Sequence, residues 1–150
     1  MLSRSTFRTA LSPLWICRPL QCCTRRRLTT LAIETSCDDT SVAIVEKGVH
    51  DGNTVARLHF HKKVTSNNAQ FGGVHPLLAL KSHQENLGNL LAEAIEHLPK
   101  HDGTRRLPDF VSVTRGPGMR SNLFTGIDTA KGLAAAWQVR SLNVYLLRSN

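Results

Sequence analysis

Three carboxylates and three hydroxyls crowd into the seven residues Glu34-Thr35-Ser36-Cys37-Asp38-Asp39-Thr40. Hydroxyls and backbone amides at such a tip can hold a phosphate, and carboxylates can orient a hard cation. The same composition also makes an ordinary hydrogen-bonded turn in solvent. Cys37 has the atom of a nucleophile, but no base stands near it in sequence, so a small filler is expected there.

A second segment, Arg115-Gly116-Pro117-Gly118-Met119-Arg120-Ser121, follows an apolar run and opens a helical pattern. Free amides at a helix start, with two arginines, suit an anion. The Gly-Lys-Ser/Thr ending of a phosphate-binding loop is missing. Taken alone, the residues favour a tight strand-to-helix turn that needs glycine for its backbone angles. Among the histidines, His83 falls between Leu80 and Leu87 on an apolar helix side, which fits a packed residue with a hydrogen bond. His59 and His61 are two apart on a strand and can share a face, without an evident third metal ligand. His97 and His101 are four apart, with Pro99 between them breaking the helix that would align them.

The elements that must position these groups read as follows. Residues 29–36 and 41–46 form a hairpin around the 37–40 turn, 50–54 is a loop, and 55–64 is a third strand. Pro76 opens a helix whose apolar residues Leu80, Leu87, Leu91, Ala94 and Leu98 keep helical spacing up to Pro99. Residues 100–108 are a charged connector and 109–114 a buried strand. Ser121 caps a second helix to about Trp137, with Gly126, Ala130 and Ala134 as a smooth stripe for packing on a sheet. The order β-β-β-α-β-α predicts an α/β domain with a mixed sheet, like the ribonuclease-H-like first lobe of the actin, sugar-kinase and Hsp70 ATPase superfamily.

The net charge of +8 is unevenly placed. Residues 1–28 hold six arginines and no acid, whereas the rest carries 13 basic against 11 acidic side chains. An arginine-rich, hydroxyl-rich, acid-free head is the composition of a mitochondrial targeting presequence. A basic nucleic-acid arm is the other reading of that charge. Cys17, Cys22 and Cys23 would leave with the head, and Cys37 alone gives no disulfide framework. No apolar run is long enough to span a bilayer, so no membrane partner is expected. The mature charge is nearly balanced, without an aromatic-and-basic stripe for RNA. The size suits one core.

Taken together, the segments resemble one family, the tRNA threonylcarbamoyltransferases formerly labelled O-sialoglycoprotein endopeptidases, and its mitochondrial branch in particular. Residues 32–40 are similar to the opening signature Ile-Glu-Thr-Ser-Cys-Asp-Glu/Asp-Thr. Gly72, Gly73, Val74, Pro76, Ala79 and His83 match a second block, and residues 114–133, with Gly116-Pro117-Gly118 and Thr125-Gly126-Ile127, a third. Coverage runs over residues 31–139. The resemblance implies transfer of threonylcarbamoyl from threonylcarbamoyl-AMP to N6 of the adenosine 3′ of the anticodon, in mitochondrial tRNA. It implies one divalent metal ion, held in the family by two histidines and an aspartate, and it is compatible with a homodimer. Asp38 and Asp39 align with an acidic pair facing the nucleotide and metal cleft, as candidates for metal-shell or proton-relay roles. Thr35, Ser36, Gly116 and Gly118 are the candidate substrate contacts.

After residue 139 the family continues through a short apolar strand into a His-His-x-x-x-His block, whereas this chain reads Arg140-Ser141-Leu142-Asn143-Val144-Tyr145-Leu146-Leu147-Arg148-Ser149-Asn150. The expected organisation is therefore a presequence over 1–28, a first lobe over 29–139 and a divergent tail over 140–150 of a truncated product. Tyr145 to Leu147 are expected to imitate the lost strand. No metal ligand set is expected in the chain, and poor solubility is. Two further readings differ in class: a non-catalytic isoform that binds partners, and a small-molecule kinase or ATPase of the same superfold. Nothing supports a peptidase, since no His-Glu-x-x-His motif is present.

Overall fold

A computed structural model describes residues 27–146 of the 150-residue chain. The targeting segment expected over residues 1–28 lies outside the described residues except at its last two positions, and so do residues 147–150 of the tail.

Strand β1 (Leu28–Glu34) pairs antiparallel with β2 (Asp39–His50), and β2 pairs antiparallel with β3 (Asn53–Thr65). Helix α1 (Pro76–Glu96) follows, after a 3-10 turn at Ala69–Phe71. A two-residue hairpin, β4 (Lys100–His101) and β5 (Thr104–Arg105), leads into β6 (Phe110–Gly116), α2 (Arg120–Trp137) and β7 (Arg140–Tyr145). The main sheet runs β3-β2-β1-β6-β7, with β1, β6 and β7 mutually parallel. The expected mixed α/β sheet with two helices is what the chain adopts.

Alternation in the strands decides which face is packed. Leu31 and Ile33, Val42 and Ile44, and Val111 and Val113 point to one side, where they meet Leu87, Leu90, Leu91 and Ala94 of α1 and Leu123, Ile127, Ala130 and Ala134 of α2. Removing each such large aliphatic side chain from water is worth about 1.5–3 kcal/mol. Both helices therefore cover the same face. Thr30, Ala32, Glu34, Ser41, Ala43 and Ser112 look out from the other and are only half-buried. No helix among the described residues is long and apolar enough to cross a membrane.

Three local expectations change. The segment read as a loop over 50–54 is a two-residue turn: Asp51 and Gly52 have φ of 48° and 83°, so β2 and β3 run unbroken to it. The connector over 100–108 contains the β4–β5 hairpin, turned by Asp102 and Gly103 at φ 50° and 78°. Ser121 does not cap α2. The cap is Met119, whose side chain makes no capping bond, and whose carbonyl accepts from the amide of Leu123 at 2.9 Å. In the tail the strand lies earlier than the expected Tyr145 to Leu147: residues 140–145 form it beside β6, in parallel register from Phe110↔Arg140 to Gly116↔Tyr145.

Candidate functional site

The C-terminal end of β1, the tip that follows it and the turn before α2 meet at one edge of the sheet. The amide of Met119 donates to the carbonyl of Ser36 at 2.9 Å, joining the two segments. Gly118 lies so close to the tip that a Cβ on it would stand 2.5 Å from the Ser36 oxygen and 2.7 Å from its Cβ. Glycine is required there for approach rather than for backbone angle. Ser36, Cys37, Pro117, Gly118 and Met119 together line an open cavity of about 450 Å³. The Gly116–Pro117 peptide bond is cis. Arg115 and Arg120 flank this wall and line a neighbouring cavity with Phe124, over whose ring the Arg120 guanidinium sits at 5.6 Å.

The tip is held from behind by both helices. Nδ2 of Asn122 donates to the carbonyl of Cys37 at 2.7 Å, and Nε2 of His83 donates to the same oxygen at 3.1 Å. Nδ1 of His83 accepts from the Thr40 hydroxyl at 2.8 Å, so its partners select the tautomer with hydrogen on Nε2. The Thr35 hydroxyl donates to the Asn122 carbonyl at 2.8 Å. Thr35, Thr40, His83 and Asn122 are all fully buried. Burial pushes the His83 imidazole below its ordinary pKa of 6.5, opposed by the Cys37 carbonyl and by the charges of Glu34, Asp38 and Asp39.

The expected site residues separate into two groups. Ser36 and Gly118 line the cavity, while Thr35 is buried against α2 and Gly116 is buried beside Tyr145 at the end of β6. The amide and hydroxyl of Ser36 both donate to Oε1 of Glu34. Asp38 stands beside the Cys37 thiol. Asp39 turns to β3, where Lys63 Nζ donates to it at 2.7 Å and the Thr65 hydroxyl donates to its other oxygen. These two bonds hold the Asp39 carboxyl below its ordinary pKa. Cys37 is exposed, not the small filler expected, because the tip turns its side chain outward. Its thiol is pushed up, first by desolvation and then by the adjoining Asp38.

Among the other expectations, His83 is the packed, hydrogen-bonded residue its position suggested. His59 and His61 do not share a face, because a bulge at Ile44/Val45 turns them apart. His59 meets buried Glu46 at 3.0 Å and His61 meets Ser41 at 3.2 Å. No group of three or more His, Cys, Asp or Glu able to hold a metal exists among the described residues. The residue that sequence reasoning missed is Asn122, since nothing local marks an asparagine in a first helical turn as a clamp on a tip 85 positions earlier.

A model of the family described as tRNA N6-adenosine threonylcarbamoyltransferase matches residues 59–148. The chain is 39% identical over 128 residues to "tRNA N6-adenosine threonylcarbamoyltransferase, mitochondrial" of Schizosaccharomyces pombe, covering 83% of this chain and 30% of that protein. It is 37% identical over 120 residues to the "tRNA N6-adenosine threonylcarbamoyltransferase" of Phocaeicola vulgatus, covering 80% of this chain and 31% of that one. Among solved structures, YeaZ from Pseudomonas aeruginosa is similar at 21% identity and a TM-score of 0.48, over 79% of this chain and 44% of that chain. The chain spans about a third or less of the length of the curated relatives it matches, 30% and 31% for these two. The family model takes in α1, the glycine turn, α2 and β7, and the fungal and bacterial likenesses extend over four fifths of the chain; by that measure it is a member of the tRNA N6-adenosine threonylcarbamoyltransferase family.

Proposed function

We propose that this chain forms the first lobe of a mitochondrial tRNA-modifying transferase, and that its tip and glycine turn make one wall of the site for threonylcarbamoyl-AMP. The observation carrying this reading is the junction of Ser36 with Gly118 and Met119, where two segments about 80 residues apart close into a cavity wall. Both segments belong to the motifs through which the chain resembles the family. In the transfer, N6 of the tRNA adenosine forms a bond to the carbamoyl carbon and gives up one proton to solvent, while the bond from that carbon to the phosphate oxygen breaks and AMP leaves. The leaving group is anionic, and Arg115 and Arg120 beside the turn favour negative charge there.

The divalent metal of the family does not fit the described residues. Asp39 is engaged by Lys63 and Thr65, and no three-ligand group lies near the tip. Strand β7 (Arg140–Tyr145) stands where the family's short strand before the His-His-x-x-x-His block is expected, and no histidine follows His101 in the sequence given. No step is therefore routed through a metal on these residues. The second reading is a lobe that binds the family's ligands or a second copy of itself without turnover.

The test is disruption of the locus followed by nucleoside mass spectrometry of mitochondrial tRNA. Loss of N6-threonylcarbamoyladenosine from mitochondrial tRNA, with cytosolic tRNA unchanged, is expected; unchanged mitochondrial tRNA overturns the reading. Purified chain given tRNA, threonylcarbamoyl-AMP and a divalent cation distinguishes the two readings, because modified tRNA there rejects the binding-only one. Matrix residence, proposed from the arginine-rich head and the relative's name, is checked by protease protection of a tagged chain in isolated mitoplasts.

A further inference from the structure

Three successive carbonyls of the tip are engaged from different parts of the lobe. The Ser36 carbonyl accepts the amide of Met119 at 2.9 Å, and the Asp38 carbonyl accepts the amide of Ser66 at 2.9 Å. Between them, the Cys37 carbonyl receives two side-chain donors at once, Nδ2 of Asn122 at 2.7 Å and Nε2 of His83 at 3.1 Å. Both donors are fully buried, and they rise from separate helices, α2 and α1. The carbonyl cannot turn outward without leaving two interior N–H groups unpaired, and each such loss is costly.

The Cys37–Asp38 peptide is trans, so its N–H points opposite to its C=O. With the carbonyl held toward the buried side, the Asp38 amide faces the open side, where it meets the sulfur of exposed Cys37. A thiol is a weak acceptor, which an anion displaces readily. A peptide unit carries a dipole of about 3.5 D, and reversing it would aim the carbonyl at the cavity instead. One orientation favours negative charge and the other repels it. Thr40 adds a further control: its hydroxyl donates to Nδ1 of His83 at 2.8 Å, which keeps the imidazole hydrogen on Nε2, the nitrogen that faces the carbonyl. We propose that His83 and Asn122 are positioning residues for an anionic donor, holding the Cys37–Asp38 peptide with its N–H toward the Ser36–Gly118 cavity, with Thr40 setting the His83 tautomer. None of the three touches the donor, and all are interior to the lobe. The assignment rests on the reading of that cavity as one wall of the threonylcarbamoyl-AMP site.

The experiment titrates the isotope-labelled full chain with threonylcarbamoyl-AMP and follows the Asp38 amide and the Cys37 carbonyl carbon by NMR. Saturable movement of the Asp38 amide is expected in the wild-type chain. Asn122→Leu, which leaves the backbone bond to Thr35 in place, should shift the Cys37 carbonyl upfield before ligand is added and weaken binding at least tenfold. His83→Leu should do the same, and His83→Gln, which keeps a donor near the Nε2 position, should recover most of the lost affinity. Thr40→Val should weaken binding severalfold through the tautomer alone. Leu91→Ala, a core truncation two turns along α1 from His83, should lower the denaturation midpoint and leave binding unchanged, which separates positioning from loss of stability. Should His83→Leu fail to fold, Asn122→Leu and Thr40→Val decide the matter. Unweakened binding in these variants, or an equal weakening by Leu91→Ala, would overturn the assignment alone. No saturable movement of the Asp38 amide in the wild-type chain would overturn the reading of the cavity and the assignment with it.

Discussion

Asn122, in the first turn of α2, donates through Nδ2 to the carbonyl of Cys37 across 2.7 Å. The Asn122 backbone carbonyl in turn receives the hydroxyl of Thr35 at 2.8 Å. One residue thus satisfies two polar groups at the base of the tip, and α2 cannot shift without disturbing the cavity wall at Ser36 and Cys37.

The close seat of α2 makes Gly126→Ala costly. A Cβ there would stand 2.5 Å from Oγ1 of Thr35 and 3.4 Å from methyls of Ile33 and Val113. Overpacking of this kind should cost about 1–3 kcal/mol, read as a lower denaturation midpoint. Adding Thr35→Ala should relieve part of the crowding, so the double variant should lose less than the two single losses added together.

Gly118→Ala acts on the wall itself. The new Cβ would press on the backbone of Ser36, which cannot yield as a flexible side chain can. The bond from the Met119 amide to the Ser36 carbonyl should open, and hydrogen exchange at that amide should quicken well beyond any change in the core strands. In the full transferase activity should fall more than stability.

His83 gives the lobe an acid-sensitive seam. Its folded pKa lies below the ordinary 6.5, so the unfolded chain takes up a proton first. The stability it contributes is complete above about pH 6.5 and is lost as pH falls below that value toward the folded pKa. Thermal midpoints measured from pH 8 to pH 5 should decline in the wild-type chain. His83→Gln should start lower, having lost a fully buried bridge, and decline less steeply over the same window.

Cys37 should react slowly for an exposed thiol. Desolvation and the neighbouring Asp38 keep it protonated at neutral pH. Iodoacetamide labelling of the Cys37 peptide, followed by mass spectrometry, should run slower than labelling of a free cysteine peptide. Asp38→Asn should speed it.

Lys63→Met should raise the Asp39 carboxyl toward its ordinary value by removing the largest of the two bonds that lower it, detected by carboxyl NMR. Both groups are substantially exposed, so the fold should hardly respond.

The elements legible in sequence were those with a period. Loose alternation marked β3, a short buried-type run marked β6, and helical spacing from Leu80 to Leu98 marked α1. The two short turns carried a signal too, since Asp51-Gly52 and Asp102-Gly103 are both aspartate–glycine pairs suited to left-handed backbone, but the polar residues around them read as loop. The start of α2 was misplaced at Ser121 because a serine looks like a cap, whereas the turn there is positioned by the tip through Met119. Of the site, Ser36 and Gly118 could be seen in their motifs. The inward turn of Thr35, the outward turn of Cys37 and the clamp by Asn122 come from contacts between distant segments, which no local pattern records.

Those distances also set an order of assembly. The groups that secure the tip lie far downstream: His83 is 46 positions beyond Cys37, and Asn122 is 85 beyond Cys37 and 87 beyond Thr35. While the chain is being synthesised, the β1–β2–β3 meander can pair as soon as it emerges, but the Thr35 hydroxyl has only water as its acceptor until α2 has left the ribosome. The segment that reads earliest in the sequence is thus among the last to reach its final shape, and a nascent chain paused before residue 122 would hold its strands together around an unfinished tip.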